Sequence, residues 1–409
     1  MNEVNNIPEG WVETTLGEIA KVQTGPFGSQ LKNEQYIIGG TPVVTVEHIV
    51  DFKIKDFNYP SVTEEDAKRL SKYLLKEGDI VFTRVGSVDL SAYVNRNQDG
   101  WMFSSRMLSV RPSKEINSKF LSYFFQQSTF RNYLLKIAVG ATMPSLNTSI
   151  LKEIPVSYPS LSEQKSIAAI LTSFDDKIEL LQAQNKTLEE LAQTLFKEWF
   201  GKYKVGDELP EGWKEGKLGD EFDITIGRTP PRIEQEWFST IPTGKKWISI
   251  KDMGNSGVFI FDTSEYLTDE AISKFNIPII PENTTLLSFK MTVGKLTITT
   301  EEMLSNEAIA HLKIKRDSYL TSEYIYLYLQ NLDFNSLGST SSIVTAINST
   351  IIKNLDFIIP QKIILKDFQE IIHPIFNKIK TNTKQIQTLT KTRDELLPKL
   401  MSGEIRVKM

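Results

Sequence analysis

The sequence predicts an α+β chain of two tandem mixed α/β domains, separated by two long helices that pair as an antiparallel coiled coil with pseudo-two-fold symmetry. Three observations carry this expectation. The 409 residues contain an internal repeat whose period is about half the chain. Each copy opens on short β-branched runs broken by frequent turn signals. Each copy closes on a long amphipathic stretch, and the two stretches share one register. A chain of this length exceeds one ordinary core, so two or more domains are expected from size alone.

The repeat is sought first because it decides the architecture. Ile7-Pro8-Glu9-Gly10-Trp11 returns as Leu209-Pro210-Glu211-Gly212-Trp213, and Leu16-Gly17 returns at the same offset as Leu218-Gly219. Val44, Val46 and Ile49 match Ile248, Ile250 and Met253. SKFLSYFFQQ at 118–127 matches SEYIYLYLQN at 322–331, and LNTSILKEIPVSYP at 146–159 matches INSTIIKNLDFIIP at 347–360. Order is kept throughout and the offset drifts by only a few residues.

Within each copy, TPVVTVEHI and KKWISIKDM alternate as half-buried strands do. EGDIVFTRVG and ENTTLLSFKMTVG read as strands ending in a glycine turn, and the aromatic-rich segments read as short helices. After Pro159, Ser160 and Glu163 have the spacing of a capping box. From there to Phe200 there is no proline or glycine, and Gly201 supplies a stop. A second helix is expected from about Asp367 to Ser402, with Pro374 and Pro398 expected to kink or delay it because each lacks an N–H. The organisation is thus a domain at 1–159, a helix at 160–203, a domain at 204–363, and a helix with the C-terminal tail at 364–409.

The first helix has a 3–4 spaced seam of Ile167, Leu171, Phe174, Ile178, Leu181, Asn185, Leu188, Ala192, Leu195 and Trp199. The second has Phe368, Ile372, Ile375, Ile379, Asn382, Ile386, Leu389, Arg393, Leu396 and Leu400. Each seam carries one Asn. A buried amide opposite Leu is left unsatisfied, at a cost of roughly 1–3 kcal/mol. Opposite a second amide it is satisfied and fixes register. Pairing Asn185 with Asn382 antiparallel makes the other nine layers fall into place, every pair summing to 567. Only the Phe174–Arg393 layer is weak, and there Arg393 must snorkel, stack or lie at the edge. About 34 helical residues at ~1.5 Å each form a rod of roughly 50 Å. Two equivalent modules on such a spacer suit a ligand with its own repeat, such as duplex DNA with half-sites about 34–36 Å apart per turn.

Composition excludes several classes. Hydrophobic residues at 40% and charged residues at 24% are an ordinary globular balance. No apolar run reaches the ~18 residues that span a bilayer, and MNEVNNIPEG lacks a signal-peptide pattern. A cytoplasmic protein without membrane association is expected. The absence of cysteine removes thiol nucleophiles, disulfides and zinc–thiolate sites. His48, His311 and His373 are scattered and suggest structural roles rather than a metal cluster, so no metal is expected. The formal net charge of -4 argues weakly against nucleic acid, but a sum over the chain hides local basic patches.

PSLSEQKSIAAIL, DDKIELLQ, TLFKEWF and the C-terminal TRDELLPKLMSGEIRV resemble the two helical regions of the specificity subunits of type I restriction–modification enzymes. IPEGWVETTLGEIAKVQTGPFGS resembles the opening of their target-recognition domains, and the resemblance runs in order over essentially the whole chain. It implies that each target-recognition domain reads one half of a split target on double-stranded DNA. It also implies that the helices serve as ruler and docking site for two methyltransferase subunits, with restriction subunits able to join. The subunit itself would do no chemistry. S-adenosylmethionine would belong to the methyltransferase subunits, which act on an adenine flipped from the duplex. The sequence has no Asn/Asp-Pro-Pro-Tyr/Phe stretch and no phosphate loop, and Glu215-Gly216-Lys217 is only a nominal nuclease triplet. The rival expectations are a stand-alone nuclease or methyltransferase and a scaffold binding only proteins.

Base edges are read by Arg, Lys, Asn, Gln, Ser and Thr, and phosphates by cations, hydroxyls and backbone N–H. Candidates in the first domain are the loop Thr24, Gly25, Phe27, Gly28 and Ser29, then Arg84, Ser87 and Arg106, and the loop residues Thr142, Ser145 and Asn147. In the second domain they are Arg228, Thr229 and Arg232 of GRTPPR, then Lys251, Lys290 and Lys295, and Ser341 and Ser342. GRTPPR replaces GPFGS, so the two domains are expected to read different bases and the target to be asymmetric.

Overall fold

The computed structural model describes residues 7–55, 57–140, 142–290, 292–334 and 348–407. It divides into two compact units, Met1–Ile178 with Leu389–Met409, and Glu179–Thr388.

The first unit opens on the repeated pentapeptide. Gly10 takes φ 78°, which lets the Trp11 N–H donate to the Pro8 carbonyl at 3.0 Å and turns the indole into the core. Strand β1 (Val12–Thr15) pairs antiparallel with β8 (Pro155–Tyr158), tying the two ends of the domain together. Between them a four-stranded antiparallel sheet has the order β2 (Ala20–Thr24), β7 (Met107–Pro112), β4 (Ile80–Thr83), β5 (Ser91–Tyr93). Strand β3 (Thr41–Val44) pairs in parallel with β6 (Met102–Phe103). Helices α1 (Ser118–Gln126), α2 (Ser128–Ile137) and α3 (Thr148–Lys152) follow. Phe82, Leu108, Val110, Leu121 and Phe125 are buried together where the sheet meets them.

The second unit repeats the plan. Gly212 also has φ 78°, and the Trp213 N–H reaches the Pro210 carbonyl at 3.0 Å. Strand β9 (Lys214–Lys217) pairs with β17 (Asp356–Ile359). The main sheet is β10 (Phe222–Ile226), β16 (Ile309–Ile314), β13 (Thr285–Ser288), β14 (Leu296–Thr299), β12 (Phe259–Ile260). Strand β11 (Lys245–Ile248) runs parallel to β15 (Leu304–Ser305) and leads into helix α5 (Ile250–Asn255). Helices α6 (Ser322–Gln330) and α7 (Ser349–Lys353) correspond to α1 and α3. Glu215 and Lys217 are strand residues, and Lys217 pairs with Asp356 at 3.7 Å.

The two long helices are α4 (Leu161–Phe200) and α8 (Lys362–Met401). In the first unit the start of α4 packs on the end of α8, with Ile167, Leu171, Leu400 and Met401 buried against Trp11 and Phe120. In the second unit the end of α4 packs on the start of α8, and Trp199 and Phe368 rings stand 5.6 Å apart. The pairing is antiparallel in each, and none of the seam positions is exposed. The Asn382 Nδ2 donates to Asn185 Oδ1 at 2.9 Å, and Asn185 Nδ2 donates to Thr383 Oγ1 at 3.1 Å. Arg393 lies at the edge of its layer and donates to Asp175 at 2.7 Å, while the Tyr123 hydroxyl donates to the other Asp175 oxygen at 2.6 Å.

The structure corrects four local expectations. Helix α8 begins at Lys362 rather than near Asp367, directly after the Pro360 and Gln361 that end β17. Pro374 and Pro398 neither delay nor interrupt it. Both prolines, and the Glu370 and Asp394 whose carbonyls lose a donor, are exposed, so water can satisfy those carbonyls. The capping box at Ser160 is half formed: the Glu163 N–H donates to Ser160 Oγ at 3.3 Å, but the Glu163 carboxylate receives Arg406 at 2.7 and 2.8 Å instead. Finally, β3 and β11 end at Val44 and Ile248, because Thr45 and Ser249 each turn the chain into a helical cap with His48 and Asp252.

Candidate nucleic-acid interface

Antiparallel pairing places the candidate loops. In the first unit β7 lies between β2 and β4, with Leu108 opposite Thr24 and Met107 opposite Thr83. The C-terminal ends of β2 and β4 and the N-terminal end of β7 therefore share one edge of the sheet. Residues 25–29, 84–90 and 104–106 all leave from that edge. Residues 142–146 join them, since the Gly86 N–H donates to Pro144 O at 2.9 Å and the Leu146 N–H to Arg84 O at 2.8 Å.

The second unit has the same edge. Ile226 stands opposite Ala310 and Ser288 opposite Ile309, so residues 227–232, 289–290, 292–295 and 305–308 leave together. Helix α5 starts beside them, because the Asn306 N–H donates to Ile248 O at 3.1 Å.

One backbone device recurs. A Cβ added to Gly25 would lie 2.0 Å from Ser104 O, and one added to Gly227 would lie 2.2 Å from Asn306 O. The N–H groups of the two glycines donate to Met107 O and Ile309 O, both at 3.2 Å. Thr83 Oγ1 donates to Ser87 O, and Ser288 Oγ donates to Thr292 O at 2.6 Å, so the hairpin loops are built alike. The scaffold is common to both units while the side chains it carries differ.

The first unit presents Phe27, which is 50% exposed, with the Arg84 guanidinium 5.6 Å from its ring centroid. Arg84 Nη1 donates to Ser105 O at 3.3 Å, and its buried Nε has no partner. Gly28, Ser29, Ser87, Arg106 and Thr142 are exposed, and Thr24 is half-buried. Two candidates are engaged locally. Ser145 donates to Val139 O at 3.1 Å, and Asn147 Oδ1 caps α3 by accepting the Ile150 N–H at 2.9 Å.

In the second unit Arg232 forks onto Glu265 at 2.7 and 2.9 Å and lies over the Phe238 and Trp247 rings at 4.2 and 4.7 Å. Arg228 donates to Phe275 O at 3.1 Å, and Thr229 donates to Glu307. Lys251 and Lys290 are exposed, and the half-buried Lys295 lies against Gly254. Ser341 and Ser342 lie outside the described residues. Glu307 has no counterpart among the sequence candidates. Burial works to raise its carboxyl's pKa, but the Thr229 hydroxyl, its own N–H and the nearby Lys290 and Arg232 prevail and hold it below the usual range.

The histidines are structural in their contacts. His48 accepts the Thr45 N–H at 3.0 Å, His311 sits between Thr225 and Ser305, and His373 meets Glu323 at 3.0 Å. Among the described residues no group of three His, Cys, Asp or Glu could hold a metal ion. No helix among them is long and apolar enough to cross a membrane.

The family model "Type I restriction modification DNA specificity domain" matches residues 8–190 and 210–391, once per unit of the repeat. The chain belongs to the type I restriction–modification specificity family. As a specificity subunit it has two recognition domains, carried on the two long helices. The MjaIX specificity subunit of Methanocaldococcus jannaschii is 28% identical over 99% of this chain and 96% of its own. The HindI specificity subunit of Haemophilus influenzae is 24% identical over 97% of this chain and 99% of its own. The crystal structure of the type I S subunit from M. genitalium shares the fold, with a TM-score of 0.64 at 16% identity, covering 100% of this chain and 99% of that one.

Proposed function

We propose that this specificity subunit is the non-catalytic, sequence-reading component of a cytoplasmic type I complex that methylates adenine at N6 and can cleave DNA. The domain at 1–159 reads one half of a split target on double-stranded DNA, and the domain at 204–363 reads the other. The observation that carries this reading is the shared sheet edge, with Gly25 and Gly227 seated alike on the neighbouring turn and different side chains mounted on it. Arg84, Ser87 and Arg106 face one half-site, and Thr229, Lys251, Lys290 and Lys295 the other. The target is therefore asymmetric.

Within the second unit the Asn185–Asn382 bond fixes which residues of α4 and α8 meet. Their outward faces suit the docking of two methyltransferase subunits: Leu180 is 51% exposed, Leu191 45% and Ile371 43%. S-adenosylmethionine binds in those subunits, and restriction subunits join the same assembly. With a chain total of -4, the partners also help to neutralise phosphate.

The test is methylome sequencing of cells that express the methyltransferase partner with and without this chain. A bipartite adenine-methylation motif present only with the chain is the expected result. Methylation that is unchanged without it, or that follows a single contiguous site, would overturn the proposal.

A further inference from the structure

We propose that Glu307 is a specificity-determining residue of the second recognition domain, accepting a hydrogen bond from the exocyclic N4 amino group of a cytosine in the major groove. This rests on the reading of the sheet edge as the DNA-facing surface, and it adds a residue and a base.

The position is defined by the scaffold. Glu307 lies in the turn between β15 and β16, where Gly227 N–H meets Ile309 O and Arg228 N–H meets Ser305 O at 2.9 Å. The equivalent turn in the first domain carries Ser105 and the exposed Arg106. In register Ser105 matches Glu307 and the exposed Arg106 matches the buried Ala308, so the two turns present different side chains from the same backbone. Glu307 is exposed, and Thr229 Oγ1 donates to one of its oxygens, so the carboxylate is oriented by the facing loop.

A carboxylate on a phosphate-facing edge is repelled unless it meets a donor. Among base edges in the major groove, cytosine offers an amino donor at N4. Guanine offers only the acceptors N7 and O6. Adenine sets an N7 acceptor beside its amino group and is read by an amide that both donates and accepts. The Lys290 next to it can meet phosphate and offset the negative charge of the carboxylate.

Glu307→Gln supplies the test, because it keeps an acceptor for Thr229 and adds an amide donor. In the full complex with its methyltransferase subunits, methylome sequencing should show E307Q shifting one position of the second half-site from cytosine towards adenine, by on the order of ten- to a hundred-fold in relative use. Glu307→Ala should lose discrimination at that position alone. Thr229→Val should weaken discrimination at that one position without switching it to adenine, because the carboxylate stays but loses the hydroxyl that orients it. The other half-site should be unchanged in all three variants, which serves as the folding control. An E307Q motif identical to wild type would sink the proposal. So would equal relaxation of the whole second half-site by E307Q and T229V, since Glu307 would then be only a strut for the loop. Failure of the underlying reading shows separately, as the absence of a bipartite motif with the wild-type chain.

Discussion

The side-chain amide of Asn382 donates to the side-chain oxygen of Asn185 at 2.9 Å, in the seam between α8 and α4. Both residues are buried, and the remaining Asn382 Oδ1 has no partner. The layer therefore favours register over maximal stability. Replacing either Asn by Leu leaves a buried amide atom of the other without its partner and should lower stability by about 1–3 kcal/mol in urea denaturation of the full chain. The double variant Asn185→Leu with Asn382→Leu should recover most of that loss. Additive losses in the double variant would show that the two amides do not act together.

His311 gives the second recognition domain an acid sensitivity. It is fully buried between Thr225 Oγ1 at 2.9 Å and Ser305 Oγ at 2.7 Å. Burial, with a smaller contribution from Lys313, lowers its pKa to about 3. The unfolded chain binds a proton below about pH 6.5, whereas the folded chain does not until about pH 3. The stability it contributes is full above pH 6.5 and is lost as the pH falls from there towards 3. Urea titrations at pH 7 and pH 5 should differ by roughly 2 kcal/mol from this group, and His311→Gln should remove that part of the difference. An unchanged pH dependence in the variant would assign the acid sensitivity to other groups.

Lys251 and Lys290 are exposed beside the edge from which 227–232 and 305–308 leave. If each neutralises one phosphate, Lys→Ala at either should weaken duplex binding by the assembled complex and reduce the slope of log K against log salt by about 1. The change should be the same on targets of any sequence. A variant that altered base preference without altering the salt slope would move that lysine from phosphate to base contact.

Architecture was legible in the sequence wherever it rests on periodicity. The seam from Ile167 to Trp199 could be read because buried positions on a helix recur every three or four residues, and the Asn pair set its offset. The repeated pentapeptide takes the same turn in both copies, with Gly10 and Gly212 each at φ 78°. Side-chain pairings across the fold were not legible. Arg232 and Glu265 are 33 residues apart, and Thr229 and Glu307 are 78 apart, with no local pattern linking them. Pro374 suggests a late start for α8, but Pro374 and Glu370 are both exposed, so the helix runs through them from Lys362. The spacing of Ser160 and Glu163 predicts a local cap, but a partner 243 residues away, Arg406, takes the Glu163 carboxylate.

The central claim is that each domain reads its own half of the target, and the paired glycines test it most directly. A Cβ at Gly25 or Gly227 would collide with the backbone oxygen of Ser104 or Asn306, at 2.0 and 2.2 Å, and must displace its loop. The measurement is the methylated motif produced in cells by the complex carrying Gly25→Ala or Gly227→Ala. The account predicts that Gly25→Ala relaxes one half of the motif, Gly227→Ala relaxes the opposite half, and each leaves the other half intact. Relaxation of the same half by both variants would contradict it.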